Sequence, residues 1–137
     1  MNANNPVTNN YLFPTLARLH TADPDGLGAG VYASQEIRNV SAKGVRLFSV
    51  VANGSGTVVV KIQVKNPYTG TWVDLAGAAT AALNNNAGVI ITIYPGLTGI
   101  ADSAGVTINQ HPGSSWRAVA TVATATETFS VAADHLQ

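Results

Sequence analysis

Residues 57–75, TVVVKIQVKNPYTGTWVDL, constrain the fold more than any other stretch. Val60, Ile62 and Val64 alternate with Lys61, Gln63 and Lys65, and Val58 extends the apolar set backward. Successive side chains of a strand point to opposite faces, so this pattern makes one apolar and one wet face. The β-branched residues suit a pleated surface better than a helix. Asn66-Pro67-Tyr68-Thr69-Gly70 then carries turn chemistry. Pro67 presets φ and lacks a donor, and Gly70 tolerates positive φ. Trp72-Val73-Asp74-Leu75 resumes the pattern, which predicts a β-hairpin. Trp72 is expected to anchor the edge of the core; a stacking platform for a sugar or a base is the functional alternative.

The same reading extends along the chain. Residues 31–39 alternate loosely, and residues 44–52 (GVRLFSVVA) form a strong strand with Val45, Leu47 and Val51 opposite Arg46 and Phe48. Asn53-Gly54-Ser55-Gly56 predicts a hairpin-type connection. Residues 76–87 are small and repetitive and read mainly as a loop. Residues 89–94 (VIITIY) form a strand stopped by Pro95-Gly96, and residues 106–109 a short edge strand. Residues 115–123 (SWRAVATVA) and 128–132 (TFSVA) are expected to pair as a closing hairpin, with Trp116, Ala118, Ala120, Val122, Phe129 and Val131 on one side. Seven or eight short strands, roughly 8–14 residues apart and without a long helix, predict an all-β protein. An antiparallel β-sandwich, immunoglobulin-like or jelly-roll-like, is favoured because each strand keeps one wet face.

Residues 1–30 differ in character. They hold three of the six prolines and are rich in asparagine and glycine, with one apolar patch, Tyr11-Leu12-Phe13-Pro14-Thr15-Leu16. Such a segment builds no core of its own. It divides the chain into an extended N-terminal arm, 1–30, and a sandwich domain, 31–137. Two readings of the arm are open: a frayed terminus, or a strap lying on a neighbouring subunit. Tyr11, Leu12, Phe13, Leu16 and Arg18 are its candidate partner contacts.

Composition narrows the function classes. The 137 residues suffice for one domain with a sizeable core. Charged residues make up 10% and the net charge is zero. The seven Lys and Arg are scattered rather than clustered, which argues against nucleic acid as a partner. A weakly charged surface favours a working state docked on something else. There is no cysteine, which removes disulfides, thiolate metal sites and cysteine nucleophiles. No signal-peptide pattern or membrane-spanning apolar run is visible, so synthesis in the cytoplasm is expected.

Chemistry is sparse. His20, His111 and His135 have no metal-ligand spacing. Asp23-Pro24-Asp25-Gly26 resembles the start of a calcium loop, but the twelfth position is Ser34, and a turn is the better reading. No G-x-S-x-G elbow occurs, and Gly26-Leu27-Gly28-Ala29-Gly30 lacks the Lys-Ser/Thr of a phosphate loop. No enzymatic activity, cofactor or metal is expected.

Asn66-Pro67-Tyr68-Thr69-Gly70-Thr71-Trp72, then Ile91-Thr92-Ile93-Tyr94-Pro95-Gly96-Leu97, then Ser115-Trp116-Arg117-Ala118-Val119 with Phe129-Ser130-Val131, form an ordered set. This set resembles small β-sandwich virion proteins of tailed bacteriophages, most of all capsid decoration (cement) proteins. It spans about residues 45–133 and excludes the arm. The resemblance implies a non-catalytic subunit on the capsid exterior. Its partners would be the major capsid protein and further copies of itself, as a homo-oligomer and by analogy a trimer. Alternatives are a tail or head–tail structural subunit, and a carbohydrate-binding sandwich using Trp72, Tyr68, Tyr94 and Trp116 as stacking residues.

Overall fold

The computed structural model describes residues 28–39, 41–53, 56–84, 87–96, 105–123 and 128–137. Nine strands run through them: β1 Gly30–Ala33, β2 Ile37–Arg38, β3 Gly44–Asn53, β4 Val58–Lys65, β5 Trp72–Ala79, β6 Gly88–Ile93, β7 Gly105–Ile108, β8 Ser115–Val122 and β9 Thr128–Leu136. They make two sheets packed face to face. One has the order β1-β8-β4-β5, with β2 also paired to β8; the other has the order β7-β6-β3-β9. The chain is therefore the all-β sandwich that its alternation predicts.

The core lies between the sheets and follows the two-residue period. β4 contributes Val58, Val60 and Ile62; β8 contributes Trp116, Ala118, Ala120 and Val122. Facing them are Val45, Leu47 and Val51 of β3, Ile91 and Ile93 of β6, and Phe129, Val131 and Ala133 of β9. Ser49 interrupts this apolar set. It is buried, and its hydroxyl has no hydrogen-bond partner among the described residues. A buried hydroxyl without a partner weakens a core.

Several connections differ from the local reading. β3 and β4 lie in different sheets, so Asn53-Gly54-Ser55-Gly56 joins the two layers rather than closing a hairpin. β8 and β9 are likewise not a hairpin: β8 pairs with β4, β1 and β2, and β9 with β3. Their apolar sets do meet, but across the core. Glycine-rich turns serve arches and hairpins alike, and a strand's own pattern names its buried face, not its neighbour. β6 and β7 run parallel, an exception to the all-antiparallel expectation.

The stretch 76–87 is only partly a loop, because β5 continues to Ala79 through a bulge. Gln63 opposes Asp74 while Lys61 opposes Ala79, so five steps of β5 match two of β4. Gly77, with φ 79°, supplies the left-handed turn such a bulge requires. A second irregularity separates β1 from β2. Ala33 opposes Val119 and Ile37 opposes Trp116, leaving one extra residue on the edge. There the Ser34 hydroxyl accepts the Ala118 N–H at 3.0 Å, and Ser34 N–H reaches the Ala118 carbonyl at 2.8 Å.

One polar contact bridges the layers. The Trp116 indole N–H donates to His135 Nε2 at 3.3 Å, with the rings edge to face at 5.9 Å. Nε2 must be unprotonated to accept. Burial holds the His135 pKa below its ordinary value, opposed by the negative charge of Asp134. The native state therefore favours neutral imidazole. The stability this contributes is complete above about pH 6.5, the ordinary histidine value, and is lost as pH falls through the depressed native value. The melting temperature of the parent is expected to drop between pH 7 and 5, and His135→Gln to lack that component. Parallel melting curves for the two proteins would show that His135 is not a linked group.

Candidate functional site

The best-defined surface chemistry lies on the outer face of the β1-β8-β4-β5 sheet and at the end of its β4–β5 hairpin. The register builds it. Gln63 of β4 stands beside Arg117 of β8 and Asp74 of β5, and Lys65 opposes Trp72. Arg117 Nε donates to Gln63 Oε1 at 2.8 Å, and Gln63 Nε2 donates to Asp74 Oδ1 at 2.8 Å. Lys61 Nζ closes the row on Asp74 Oδ2 at 2.9 Å. The bond from Gln63, then that from Lys61, keeps the Asp74 carboxyl below its usual pKa. Lys65 Nζ reaches Glu36 Oε1 at 2.9 Å, and the Ser115 hydroxyl donates to Glu36 Oε2 at 2.9 Å. These two bonds, Lys65 first, lower the Glu36 pKa.

Trp72 belongs to this face. The sequence places it at the core edge; the structure leaves it half-buried under two cations. The Arg117 guanidinium lies 4.5 Å from its ring centroid and Lys65 Nζ 5.8 Å. The reason is register: Trp72 opposes Lys65, whose side chain lies on the wet face of β4. β5 is also an edge strand, so the hairpin is not the central pair of its sheet.

The hairpin end is exposed and tied by hydrogen bonds of its own. Asn66 Oδ1 accepts the N–H groups of Tyr68 at 2.8 Å and Thr69 at 3.2 Å, an Asx turn. Gly70, at φ 77°, donates to the Asn66 carbonyl at 2.8 Å, and Asn66 N–H reaches the Thr71 carbonyl at 2.8 Å. This cage holds Tyr68 at 95% exposure. Beside it opens a cleft of about 490 Å3, lined by the turn together with Glu36, Arg38, Lys65, Ser114 and Ser115. A carboxylate held in its charged form by Lys65 and Ser115 is a poor proton acceptor, because basicity falls with pKa. The cleft is equipped for polar recognition rather than proton abstraction.

The four aromatic residues named as stacking candidates do not share a surface. Trp116 is buried in the core, and the Tyr94 hydroxyl donates to the Gln137 carbonyl at 3.0 Å. Trp72 is covered by cations, and Tyr68 alone of the four projects freely. Tyr11, Leu12, Phe13, Leu16 and Arg18 lie outside the described residues. Sequence reasoning did not single out Glu36, Arg38, Lys65 or Ser115, which long-range pairing brings together. Part of the signal was there: Lys61, Gln63 and Lys65 mark the wet face of one strand and Arg117 that of another. Among the described residues, no three His, Asp or Glu side chains gather as a metal-binding group. Comparison with protein-family models, curated proteins and solved structures returns no match.

Proposed function

We propose that this chain is a non-catalytic structural protein of a tailed-phage virion, a capsid decoration (cement) protein that docks on the outer shell. Its partners are the major capsid protein and further copies of itself. Support comes from the ordered motif set on a β-sandwich, and from one observation above all: a caged turn presents Tyr68 at 95% exposure beside a charged cleft. Tyrosine and arginine are enriched at interface hot spots, and Tyr68 and Arg38 both line this cleft. Because the turn is already ordered, little entropy is lost on docking. The low overall charge suits a surface that works covered. The N-terminal arm, residues 1–30, joins as a second contact on this reading.

The test is occupancy on undecorated capsids. Tyr68→Ala is expected to leave stability within about 0.5 kcal/mol, as for an exposed residue. It should weaken capsid binding by roughly tenfold or more, as a hot-spot truncation does. Unchanged occupancy would remove the hairpin from the mechanism, and removal of residues 1–27 separates the arm's share. The carbohydrate-binding alternative retains one favourable feature, the Tyr68 ring beside a cleft of hydrogen-bonding groups. A chain that ignores capsids but binds glycans in a Tyr68-dependent way would establish it instead.

A further inference from the structure

We propose that the cleft beside the β4–β5 hairpin is a carboxylate-binding site. It receives an aspartate or glutamate side chain from an exposed loop of a partner protein, and Arg38 is the residue that holds it. The proposal rests on the cleft being a docking surface and adds the chemistry of the contact.

The charges around the cleft single out Arg38. The charged lining residues are Glu36, Arg38 and Lys65. Lys65 is engaged with Glu36 at 2.9 Å, and the second Glu36 oxygen accepts from the Ser115 hydroxyl. Arg38 is exposed, and its guanidinium has no hydrogen-bond or salt-bridge partner among the described residues. Its charge reaches Glu36 only as the weakest influence on that carboxyl, behind the bonds from Lys65 and Ser115. The side chains of Lys43 and Arg46 are likewise without a partner among the described residues, but neither lines this cleft. Lys65 and Glu36 offset each other, so Arg38 leaves the cleft with one uncompensated positive charge.

Hydrogen bonding points the same way. The carboxylate and carboxamide oxygens of the lining are already taken: those of Glu36 as above, and Asn66 Oδ1 by the turn. The Arg38 fork presents several N–H donors and no acceptor, and the neighbouring Ser114 hydroxyl adds a further donor. A carboxylate accepts at both oxygens, carries a single charge and pairs side by side with a guanidinium. A phosphate dianion would bring two charges to one free cation and stand beside Glu36. A sugar needs acceptors for its hydroxyls as well as donors.

Arg38 is also held at its base. It opposes Ser115 in the β2–β8 ladder. The next residue, Asn39, ties the strand end down. Its N–H reaches the Ser114 carbonyl at 2.9 Å, and its side-chain amide donates to the Gly113 carbonyl at 3.0 Å and the Ala42 carbonyl at 2.9 Å. An ordered strand end loses less entropy on binding than a loose loop. The occupant comes from a different protein. Of the acidic side chains among the described residues, Glu36 and Asp74 are bonded within the chain, and Asp134 is half-buried on the other sheet.

The test is an NMR titration of the isotope-labelled full chain with a short peptide, blocked at both ends, carrying one central aspartate. The Arg38 Nε–H and the amides of residues 36–39 and 114–115 are expected to shift saturably, and the affinity to fall as salt rises. The matched asparagine peptide should bind roughly tenfold more weakly or worse, since it lacks the charge that strengthens the paired bonds. Glucuronic acid and inorganic phosphate should bind more weakly than the aspartate peptide. Arg38→Gln should keep the parent's melting temperature and lose the response, and Arg38→Lys should restore only part of it, because an ammonium lacks the planar fork. The proposal is overturned by an absent or unsaturable response, by equal binding of the asparagine peptide, by binding that survives Arg38→Gln, or by a preference for glucuronic acid or phosphate. On undecorated capsids, Arg38→Glu is expected to cut occupancy by roughly tenfold or more, as loss of an interface anchor does. A parent that takes the aspartate peptide through Arg38 yet ignores capsids keeps this site and removes the capsid reading. Capsid occupancy untouched by Arg38→Glu keeps the capsid reading and overturns this one.

Discussion

Trp116→Ala is expected to destabilise the protein by about 3–5 kcal/mol, the range for truncating a buried aromatic. Trp72→Ala is expected to cost about 1 kcal/mol, the size of an exposed cation–π contact. The two tryptophans look alike in sequence, each near the start of an alternating strand. Trp116 is wholly buried between the sheets. Its loss opens a cavity lined by residues that cannot collapse together without bending the strands, and it orphans the acceptor on His135. Trp72 loses its cover of Arg117 and Lys65, but water replaces the ring. Urea unfolding of both variants measures the difference. The reverse order would mean that the outer face, not the core, holds the hairpin in place. Trp116→Phe refines the result: it keeps most of the packing and removes only the indole donor. Its pH dependence between 7 and 5 should therefore differ from that of the parent.

Gly44→Ala is the second large effect, and its cause is steric. Gly44 opens β3 at a buried position where a Cβ would run into the Ile93 carbonyl oxygen and lie 2.6 Å from Tyr94 Cδ2. The first obstacle is backbone of the neighbouring strand. The second is a ring tethered through its hydroxyl to the Gln137 carbonyl. Neither moves without disturbing β6 or the end of β9. Overpacking of this kind costs about 1–3 kcal/mol, and the backbone clash places Gly44→Ala at the upper end. Gly88→Ala is the control. Its added Cβ would meet the Ser49 carbonyl and Val50 Cγ2 at 3.5 Å, ordinary contact distances. It should be neutral, or stabilising by about 0.4–1 kcal/mol through the unfolded chain. Equal losses at the two positions would show that glycine is needed at both for backbone freedom, not space.

Much of the fold was legible because burial on a strand is a local property. Val58, Val60 and Ile62, Val45 and Leu47, and Trp116, Ala118, Ala120 and Val122 were all readable as inward faces, since period two needs no knowledge of neighbours. The candidate site was much less legible. Tyr68 stood out as a turn residue, yet the cleft beside it depends on Glu36 and Ser115, which are distant in sequence. They meet only because β2 pairs with β8 and β8 with β4. Trp72 shows the limit from the other side. Its apolar bulk argued for the core, and one opposed lysine decides otherwise.

By itself the sequence determined the class of this protein, the buried face of its main strands, and the tip of one hairpin. Each is set by interactions within a few residues: alternation, β-branching, and the turn chemistry of Asn66, Pro67 and Gly70. Tertiary structure alone decided which strands neighbour one another. It turned two apparent hairpins into crossings between sheets, ran β7 parallel to β6, and carried β5 through its bulge. The physical reason is that backbone hydrogen bonding is the same for every partner. Only the fit of whole faces across the core selects which strands pair, and that fit is a property of the assembled chain.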